Sequence, residues 1–411
     1  MRIVWAALAI AVAMTFGGAA RANDFVRIGA IYPLSGPFAP IGNDAMAAIE
    51  TAADIVDTPH PGLEALPLGT GQGLPNFDTL IQVISADHQS NPSVAQSQAR
   101  RLITQDRVVA MIGGGQSPVT LAMTALTERY RIPFLVPDST APTITGRGFK
   151  RIFRTTPLAT DFASGYARFL AGLKQGGSKV DTIALVFDNT DRGTAMSAAL
   201  REALKAAGFT VIDIGYQPNA TDLSAQVQQL REKNPDAAIF LSNSADAGLF
   251  VKTMKNLNYR PPLMIGDDEG FSDPGFIAAN GNLAQGLIDR SVWSPGLPGS
   301  AAAIVNELYK KKTGRDLDDA SARVLQGFLV LADAINRAGS TEPEAIQKAL
   351  QETDLKPEQL IVGYNGVRFD ETGQNILAAT YLTQLQGKAY TAVWPAANAP
   401  GKLMLPYKGW E

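Results

Sequence analysis

The sequence predicts an α/β protein built from two doubly wound parallel-sheet lobes, with a ligand cleft between them. Short apolar strand-like runs alternate with amphipathic helical runs through the first part of the chain, and the alternation restarts near residue 182. Such alternation with short connections is typical of a parallel sheet covered by helices on both faces. The chain has 411 residues, which is long enough for two domains.

The first block of the pattern contains four predicted strands and three predicted helices. The helix that begins at Pro92 shows helical spacing clearly, because Ala95, Ala99 and Leu102 recur on one face. Residues 59–76 interrupt the block and are rich in proline and glycine, so we expect a surface excursion. The predicted strands are 26–32, 80–87, 108–113 and 134–137, and the other two helices are 43–56 and 118–130.

The second block repeats the alternation. Its first helix carries Met196, Leu200 and Leu204 on one face and ends at Gly208, a residue suited to the left-handed backbone that closes a helix. After this block the chain returns to helices, and after Pro357 to strands. The predicted strands of the second block are 182–187, 210–216, 237–241 and 263–266, and the late strands are 360–364, 367–369, 378–385 and 390–394.

The first 22 residues are predicted to form a secretory signal peptide. Arg2 gives a positive start, an apolar run follows, and Ala20-Arg21-Ala22 is a small-x-small cleavage signal. The alternative is a membrane anchor, but the apolar run is short for a span and rich in alanine and glycine. We therefore expect a mature chain that begins near Asn23 and works in a periplasm.

Composition argues against several classes of function. The net charge is −3 and there is no basic block, which argues against nucleic acid as a partner. The chain has no cysteine and two histidines, so disulfides, thiolate chemistry and multi-histidine metal sites are not expected. Neither a phosphate-binding loop nor a nucleophile elbow is found. We therefore expect a protein that is not an enzyme and that has no catalytic residue, metal or cofactor.

Polar residues follow the strands of both blocks at their carboxyl ends. Parallel sheets bind ligands at that edge, beside helix N-termini. If the two blocks face each other, these residues line one cleft around a small polar ligand. The predicted ligand-binding residues are Gln116, Ser117, Asp138, Ser139 and Thr140 in the first block and Arg192, Asn243, Asp268 and Glu269 in the second.

Each candidate also has a purely structural interpretation. Ser117 precedes a proline and would serve as a helix N-cap without any ligand. Thr140 would be a turn residue, and Arg192 would be a solvated residue at a helix start. His88 follows a predicted strand, and we expect it at the surface or in a capping role rather than in catalysis.

Several stretches in order resemble one family, the periplasmic substrate-binding proteins of ABC importers, of the branched-chain amino-acid-binding type (Leu/Ile/Val-binding-like, periplasmic-binding fold type I). The likeness covers almost the whole predicted mature chain, and it depends on the order and spacing of the stretches rather than on one motif. The matching stretches are Ile28 to Pro37 followed by Gly42, then 87–92, 111–113, 152–155, 222–224, Gly363 and 369–373.

The resemblance implies three hinge crossings between the lobes, near 155–157, 291–294 and 361–366. It divides the chain into a first lobe of residues 23–156 plus about 292–362 and a second lobe of residues 157–291 plus about 363–411.

The resemblance also implies roles for single residues. The family holds an amino acid's α-carboxylate with a serine at a helix start and a threonine in the following loop, and these positions fall on Ser117 and Thr140. The ammonium group would contact Thr140, the backbone carbonyl of Asp138 and an acid of the second lobe. That acid is Asp268 or Glu269. The family usually has alanine or glycine where this chain has Asp138.

Two departures change the expected ligand. Arg192 stands where the family often has an aromatic residue, and Asn243-Ser244 replaces an aromatic pair. The second lobe is therefore more polar and carries an extra cation. This weakens the case for plain leucine, isoleucine or valine and leaves a polar amino acid, a dicarboxylate, an aromatic acid or an amide.

The resulting hypothesis is a periplasmic binding protein that closes on a small carboxylate ligand, most simply an amino acid, and delivers it to an ABC permease in the inner membrane. We expect a monomer. One alternative is a ligand sensor of the same fold that feeds a signalling receptor. Another is a secreted hydrolase, which the missing nucleophile–base pair argues against.

Overall fold

The computed structural model describes residues 25–267, 269–296, 298–395 and 401–410. The predicted signal peptide lies outside these residues. The strands are β1 Val26–Tyr32, β2 Ile81–Asp87, β3 Ala110–Gly113, β4 Phe134–Val136, β5 Ile152–Arg154, β6 Thr182–Asp188, β7 Thr210–Tyr216, β8 Ala237–Leu241, β9 Met264–Asp267, β10 Ile288–Ser291, β11 Asp354–Leu355, β12 Val367–Arg368, β13 Tyr381–Gln386 and β14 Ala389–Trp394.

The helices alternate with these strands, as the sequence pattern predicts. None of the described helices is long and apolar enough to cross a membrane. The helices are α1 Ala39–Asp57, α2 Pro92–Thr104, α3 Ser117–Tyr130, α4 Ala159–Gln175, α5 Asp191–Ala206, α6 Ser224–Lys233, α7 Ser244–Asn256, α8 Glu269–Ser272, α9 Pro274–Asn280, α10 Ala301–Thr313, α11 Asp319–Ala338 and α12 Pro343–Gln351.

The first lobe is built on a five-stranded sheet with the order β2-β1-β3-β4-β5. All four strand pairings are parallel. Helix α11 packs against α1 and also contacts β3 and β4, so the long buried helix lies over the middle of this sheet. Parallel pairing places every carboxyl strand end at the same edge, which we call the first ligand edge.

The second lobe is built on a seven-stranded sheet with the order β14-β13-β10-β9-β8-β6-β7. Strands β6 to β10 pair in parallel, whereas β13 and β14 join as an antiparallel pair at one side. The carboxyl ends of the parallel strands form the second ligand edge. The predicted α/β fold with two main sheets is confirmed, with an antiparallel addition to the second and a separate antiparallel pair formed by β11 and β12.

Two expectations from the sequence are wrong. Residues 360–364 do not form a strand, because the amide of Ile361 donates to the side chain of Gln326 at 2.7 Å instead of to a neighbouring strand. The 59–76 segment is not purely a surface excursion either. Its leucines Leu63, Leu66 and Leu74 are buried in the core of the first lobe, where they cover α1.

The segment after Gly363 stays close to the hinge side of the first sheet. The amide of Gly363 donates to Val292 at 2.7 Å, and the backbone of Gln374 bridges to Arg154. Strand β13 then begins at Tyr381. The lobe boundaries drawn from the sequence stay a prediction.

Candidate functional site

The first ligand edge is shaped by a glycine turn that follows β3. Gly113, Gly114 and Gly115 have φ angles of 153°, 144° and 77°, which L side chains rarely adopt. A Cβ on Gly113 would lie 2.2 Å from the carbonyl oxygen of Ile31 on the neighbouring strand. The turn brings the amide of Gly115 to 3.0 Å from Oδ1 of Asp138, so the two loops of this edge are joined by a hydrogen bond.

Ser117 does not cap a helix. The N-cap position of α3 is Gln116, and Ser117 is the first helical residue. Its Oγ accepts a hydrogen bond from the amide of Ala141 at 3.4 Å, which ties the start of α3 to the loop after β4. Oε1 of Gln116 is buried and has no hydrogen-bond partner among the described residues. The N-cap interpretation of Ser117 is therefore wrong.

The loop after β4 carries three of the predicted residues, and they differ in exposure. Ser139 is buried, with its hydroxyl 2.7 Å from that of Thr120, so it is part of the support beneath the loop. Thr140 is half-buried, and its hydroxyl forms no hydrogen bond to any described residue. Asp138 is half-buried and lies beside a cavity between the lobes.

This cavity has a volume of about 120 Å³ and is lined by both lobes. The first lobe contributes Asp44, Asp138 and Asp318, and the second contributes Ser272 and Asp273. Burial, together with the charges of Asp318 and Asp273, raises the pKa of Asp44, although its ion-pair partner Arg315 opposes the shift. Apart from Asp138, these residues were missed by sequence reasoning, because they come from segments far apart in the chain.

At the second ligand edge, Asp267 ends β9 in a buried network. Its Oδ1 lies 2.7 Å from Nε of Arg290 and accepts from the hydroxyl of Tyr166 at 3.0 Å. The guanidinium of Arg290 also lies 3.8 Å from the ring centroid of Phe162. Burial and the charge of Asp267 raise the pKa of Tyr166 well above its ordinary value, so this hydroxyl stays protonated and donates.

The other predicted residues of the second lobe are placed differently. Asn243 caps α7, because its side chain accepts from the amide of Asp246 at 3.0 Å and donates to the carboxylate of Asp246 at 2.7 Å. Arg192 is exposed on the first turn of α5. Asp268 lies outside the described residues. Glu269 begins α8, and its side chain is likewise not described.

Among the described residues, the structure thus brings together one predicted group and leaves the other apart. The segments that carry Gln116, Ser117, Asp138, Ser139 and Thr140 are joined at the first ligand edge by the bonds from Gly115 to Asp138 and from Ala141 to Ser117. Asp138 also shares the cavity with two residues of the second lobe. No described hydrogen bond or ion pair joins Arg192 or Asn243 to the first group.

One face of α11 contacts all three segments expected at the hinge. Asp319 accepts from the amide of Val292 at 2.6 Å, and its other oxygen lies 2.9 Å from Nη2 of Arg323. Arg323 donates to the hydroxyl of Thr156 at 3.3 Å, while Gln326 accepts from the segment at Ile361. The spacing of three and four residues places these side chains on one helix face. We call them the hinge-facing stripe.

Arg323 also reaches the predicted ligand site. Its Nη1 donates to the backbone carbonyl of Asp138 at 3.1 Å. The resemblance assigns this carbonyl to a ligand ammonium group. In this structure, the carbonyl oxygen of Asp138 already accepts a hydrogen bond from the guanidinium of Arg323.

The expectation of a surface position for His88 is wrong. Its side chain is fully buried, with Nδ1 accepting from the amide of Ser90 at 3.0 Å and Nε2 lying 3.0 Å from the carbonyl of Gly114. Nδ1 has no proton to donate to that amide, so Nε2 carries the proton and donates to Gly114. Burial lowers the pKa of His88 and keeps the ring neutral. The histidine supports the glycine turn from below.

Two parallel-sheet lobes that contribute residues to one intervening cavity define a class of two-lobed, hinged ligand-binding proteins. The chain belongs to the periplasmic binding protein family, whose model matches residues 26–389. The family is one of binding proteins rather than enzymes.

Known proteins with similar sequences and folds agree with this assignment. The Leu/Ile/Val-binding protein homolog 7 of Brucella suis is 27% identical over 414 residues, covering 97% of this chain and 98% of the relative. A branched-chain amino acid substrate-binding protein, LivJ of Streptococcus pneumoniae, solved with isoleucine, is 20% identical with a TM-score of 0.72, and the match covers 93% and 100% of the two chains.

A third similar protein was solved with a different kind of ligand. It is a solute-binding protein of an ABC transporter from Rhodopseudomonas palustris, in complex with 3,4-dihydroxybenzoic acid. It is 19% identical with a TM-score of 0.74, and the match covers 94% and 99% of the two chains. At these identities the two solved structures establish the fold alone.

Proposed function

We propose that this protein is the extracytoplasmic solute-binding component of an ABC importer. It binds a small carboxylate-bearing ligand, most simply an amino acid, by closing its two lobes, and it presents the closed form to a permease in the inner membrane. The observation that carries the proposal is the first ligand edge. Two hydroxyls lie at this edge: Ser117, at the start of α3, accepts from the amide of Ala141, and Thr140 precedes Ala141 in the same loop. Asp138, also in that loop, lines a cavity that the second lobe lines as well.

The chemistry of this edge suits a carboxylate. Hydroxyl groups and the backbone amides of loops and helix starts donate hydrogen bonds to anions, and such charge-assisted bonds are stronger than neutral ones. Thr140 has a half-buried hydroxyl with no bond to a described residue, so binding a ligand there breaks no existing side-chain contact.

Lobe closure follows from a ligand that contacts both lobes. Contacts made only in the closed form shift the equilibrium toward that form. The hinge-facing stripe contacts the connecting segments near Thr156, Val292 and Ile361, which supports the first two predicted crossings. We place the third crossing between Gln374 and Tyr381, later than the sequence suggests, because Gln374 still hydrogen-bonds to Arg154.

A second ligand class is favoured by one observation. Arg323 already donates to the carbonyl of Asp138, the group expected to receive the ammonium of an amino acid. A carboxylic acid without an ammonium group, such as an aromatic acid, does not need this carbonyl as a hydrogen-bond acceptor. The second candidate is therefore an importer component for aromatic acids.

A ligand screen with two variants tests the proposal. Thermal unfolding is measured with L-leucine, L-isoleucine, L-glutamate, benzoate and 3,4-dihydroxybenzoate, since a ligand at 100 times its Kd adds about 2.7 kcal/mol of stability. For each ligand that binds, Ser117→Ala and Thr140→Ala should each weaken binding by about 1.5–3 kcal/mol, the scale of a hydrogen bond to a charged group. X-ray scattering should show a smaller radius of gyration with the bound ligand.

The matched control is Thr104→Ala, which removes an exposed hydroxyl at the end of α2, on the opposite edge of the first sheet. It should bind like wild type. Normal binding by both Ser117→Ala and Thr140→Ala would move the site elsewhere. An unchanged radius of gyration at saturating ligand would contradict closure. If the aromatic acids raise the unfolding temperature and the amino acids do not, the second candidate is selected.

A further inference from the structure

Arg154, at the end of β5, is a fully buried cation surrounded by neutral groups. Its Nε donates to the amide oxygen of Gln374 at 2.7 Å, and its Nη2 donates to the hydroxyl of Thr145 at 3.0 Å. Its Nη1 donates to the backbone carbonyls of Ser139 at 3.2 Å and Ala141 at 2.6 Å. Every acceptor is uncharged, although the side chain is 0% exposed.

The other two buried arginines near the cleft are charge-paired. Arg290 has Asp267 at 2.7 Å, and Arg323 has Asp319 at 2.9 Å. Within the part of the chain that the structure describes, no carboxylate lies within 4.0 Å of Arg154. Asp161 is the acid whose charge acts on it from farther away. Burial lowers the pKa of Arg154 to about 10, which still leaves the guanidinium charged at neutral pH.

The position of this charge relates it to the candidate site. The two carbonyls that Nη1 holds belong to the residues on either side of Thr140. The guanidinium therefore lies directly behind the loop that offers the Thr140 hydroxyl. The ligand edge therefore has a buried positive charge bonded to the backbone on both sides of Thr140.

We infer that Arg154 is the counter-charge for the ligand's carboxylate, acting through the 139–141 loop rather than by touching the ligand. This inference rests on the proposed carboxylate site. A buried ion without an opposite charge is unfavourable, and an anion held at Thr140 supplies that charge. The same arginine keeps the loop in position through both flanking carbonyls. The site thereby selects anionic ligands over neutral ones of the same shape.

A matched pair of substitutions separates charge from loop support. Arg154→Lys and Arg154→Met have side chains of similar length, and both lose the planar fork that spans the two carbonyls. Only the lysine keeps the positive charge. Unit charges roughly 10 Å apart, at an effective dielectric constant near 20, attract by an amount worth about tenfold in binding. We therefore expect the Kd for a carboxylate ligand to be about tenfold weaker in Arg154→Met than in Arg154→Lys.

The probes are L-isoleucine and 3,4-dihydroxybenzoate, and calorimetry measures the Kd of each probe for the two variants and for wild-type protein. Equal Kd values in the two variants would overturn the inference and leave Arg154 as a loop support. If wild-type protein binds neither these probes nor the other carboxylates of the screen, the proposed function itself fails and the inference fails with it. The two failures are thus distinguished by the wild-type measurement.

A second pair of substitutions, at Thr145, tests whether Arg154 lacks a nearby negative charge. It needs no ligand and leaves Arg154 unchanged. Thr145 is buried, and its Oγ accepts from Arg154. Thr145→Asp and Thr145→Asn both offer an oxygen at this place and differ only in charge. We expect Thr145→Asp to unfold at a higher temperature than Thr145→Asn at pH 7, with the difference lost below the carboxyl's lowered pKa, near pH 3. Equal unfolding temperatures at pH 7 would contradict an unpaired Arg154.

Discussion

The two ligand edges contain buried arginines in contrasting surroundings. In the second lobe, Arg290 is paired with Asp267, which also accepts from Tyr166. In the first lobe, Arg154 is held by carbonyls, an amide and a hydroxyl. The buried arginine of the second edge has a carboxylate within hydrogen-bond distance, whereas no carboxylate among the described residues lies within 4.0 Å of the buried arginine of the first.

This difference assigns different tasks to the two lobes. An ion pair inside the protein fixes the end of β9 whether or not a ligand is present, so the second edge has a constant shape. An arginine without a carboxylate partner leaves the first edge dependent on what binds there. We expect the anionic part of the ligand to be recognised by the first lobe.

The largest expected effect comes from breaking the pair in the second lobe. Asp267→Asn keeps the shape of the side chain but removes the negative charge that lies 2.7 Å from Nε of the buried Arg290. Removing one partner of a buried pair costs about 3–5 kcal/mol. The free energy of unfolding, measured by urea denaturation, should fall by that amount.

The control for this variant is Asp213→Asn, which breaks the ion pair with Arg201 at the surface. Exposed pairs contribute under about 1 kcal/mol, so this change should be small. A loss in Asp267→Asn no larger than the loss in Asp213→Asn would remove the contrast between the two lobes.

Removing the arginine of the first lobe should cost less. Arg154→Met deprives the carbonyls of Ser139 and Ala141 of a donor, but it leaves no charge unpaired. Unsatisfied buried acceptors cost about 1–3 kcal/mol, and relief of the buried charge offsets part of this. Urea denaturation should give a net loss of about 1–2 kcal/mol. A loss above that of Asp267→Asn would show that Arg154 is as well compensated as Arg290.

The smallest effect concerns the pH dependence of the first edge. His88 is buried and neutral, and its pKa is lowered by burial. The unfolded state therefore takes up a proton before the folded state does, and stability falls as the pH drops below about 6.5. In His88→Gln, the free energy of unfolding should depend less on pH between 7 and 5, by at most about 1.4 kcal/mol per pH unit.

The matched control is His60→Gln, at the other histidine of the chain, which lies 2.9 Å from Asp54 near the surface. Denaturation curves for both variants and wild type are collected at the same pH values. A slope in His88→Gln equal to that of wild type would mean that His88 takes up its proton at the same pH in the folded and unfolded states.

The sequence predicts the parts of this site that are local. Strand ends followed by Ser117 and by the 138–140 loop identify the first ligand edge, because parallel sheets collect carboxyl ends on one side. Contacts between segments that are far apart in the chain leave no comparable pattern in the local sequence. Arg154 and Gln374 are 220 residues apart, and nothing near either residue indicates that they meet.

The two errors on polar residues have a common physical cause. A buried neutral imidazole such as His88 needs only backbone partners, which every sequence supplies. Ser117 before a proline has the sequence of a capped helix start, yet tertiary contact with Ala141 determines its role. One signal was available: Asp319 and Arg323 stand four residues apart on one helix face, the spacing of an ion pair.

The hinge-facing stripe of α11 has a consequence for how such a protein diversifies. From a single helix, Asp319 and Arg323 contact the first two connecting segments, and Gln326 contacts the segment at Ile361. The loops where we propose that a ligand binds belong to other elements, and of the stripe's three residues Arg323 reaches them, at the carbonyl of Asp138. Substitutions in those loops can therefore change the proposed ligand while the contacts between the stripe and the connecting segments are kept.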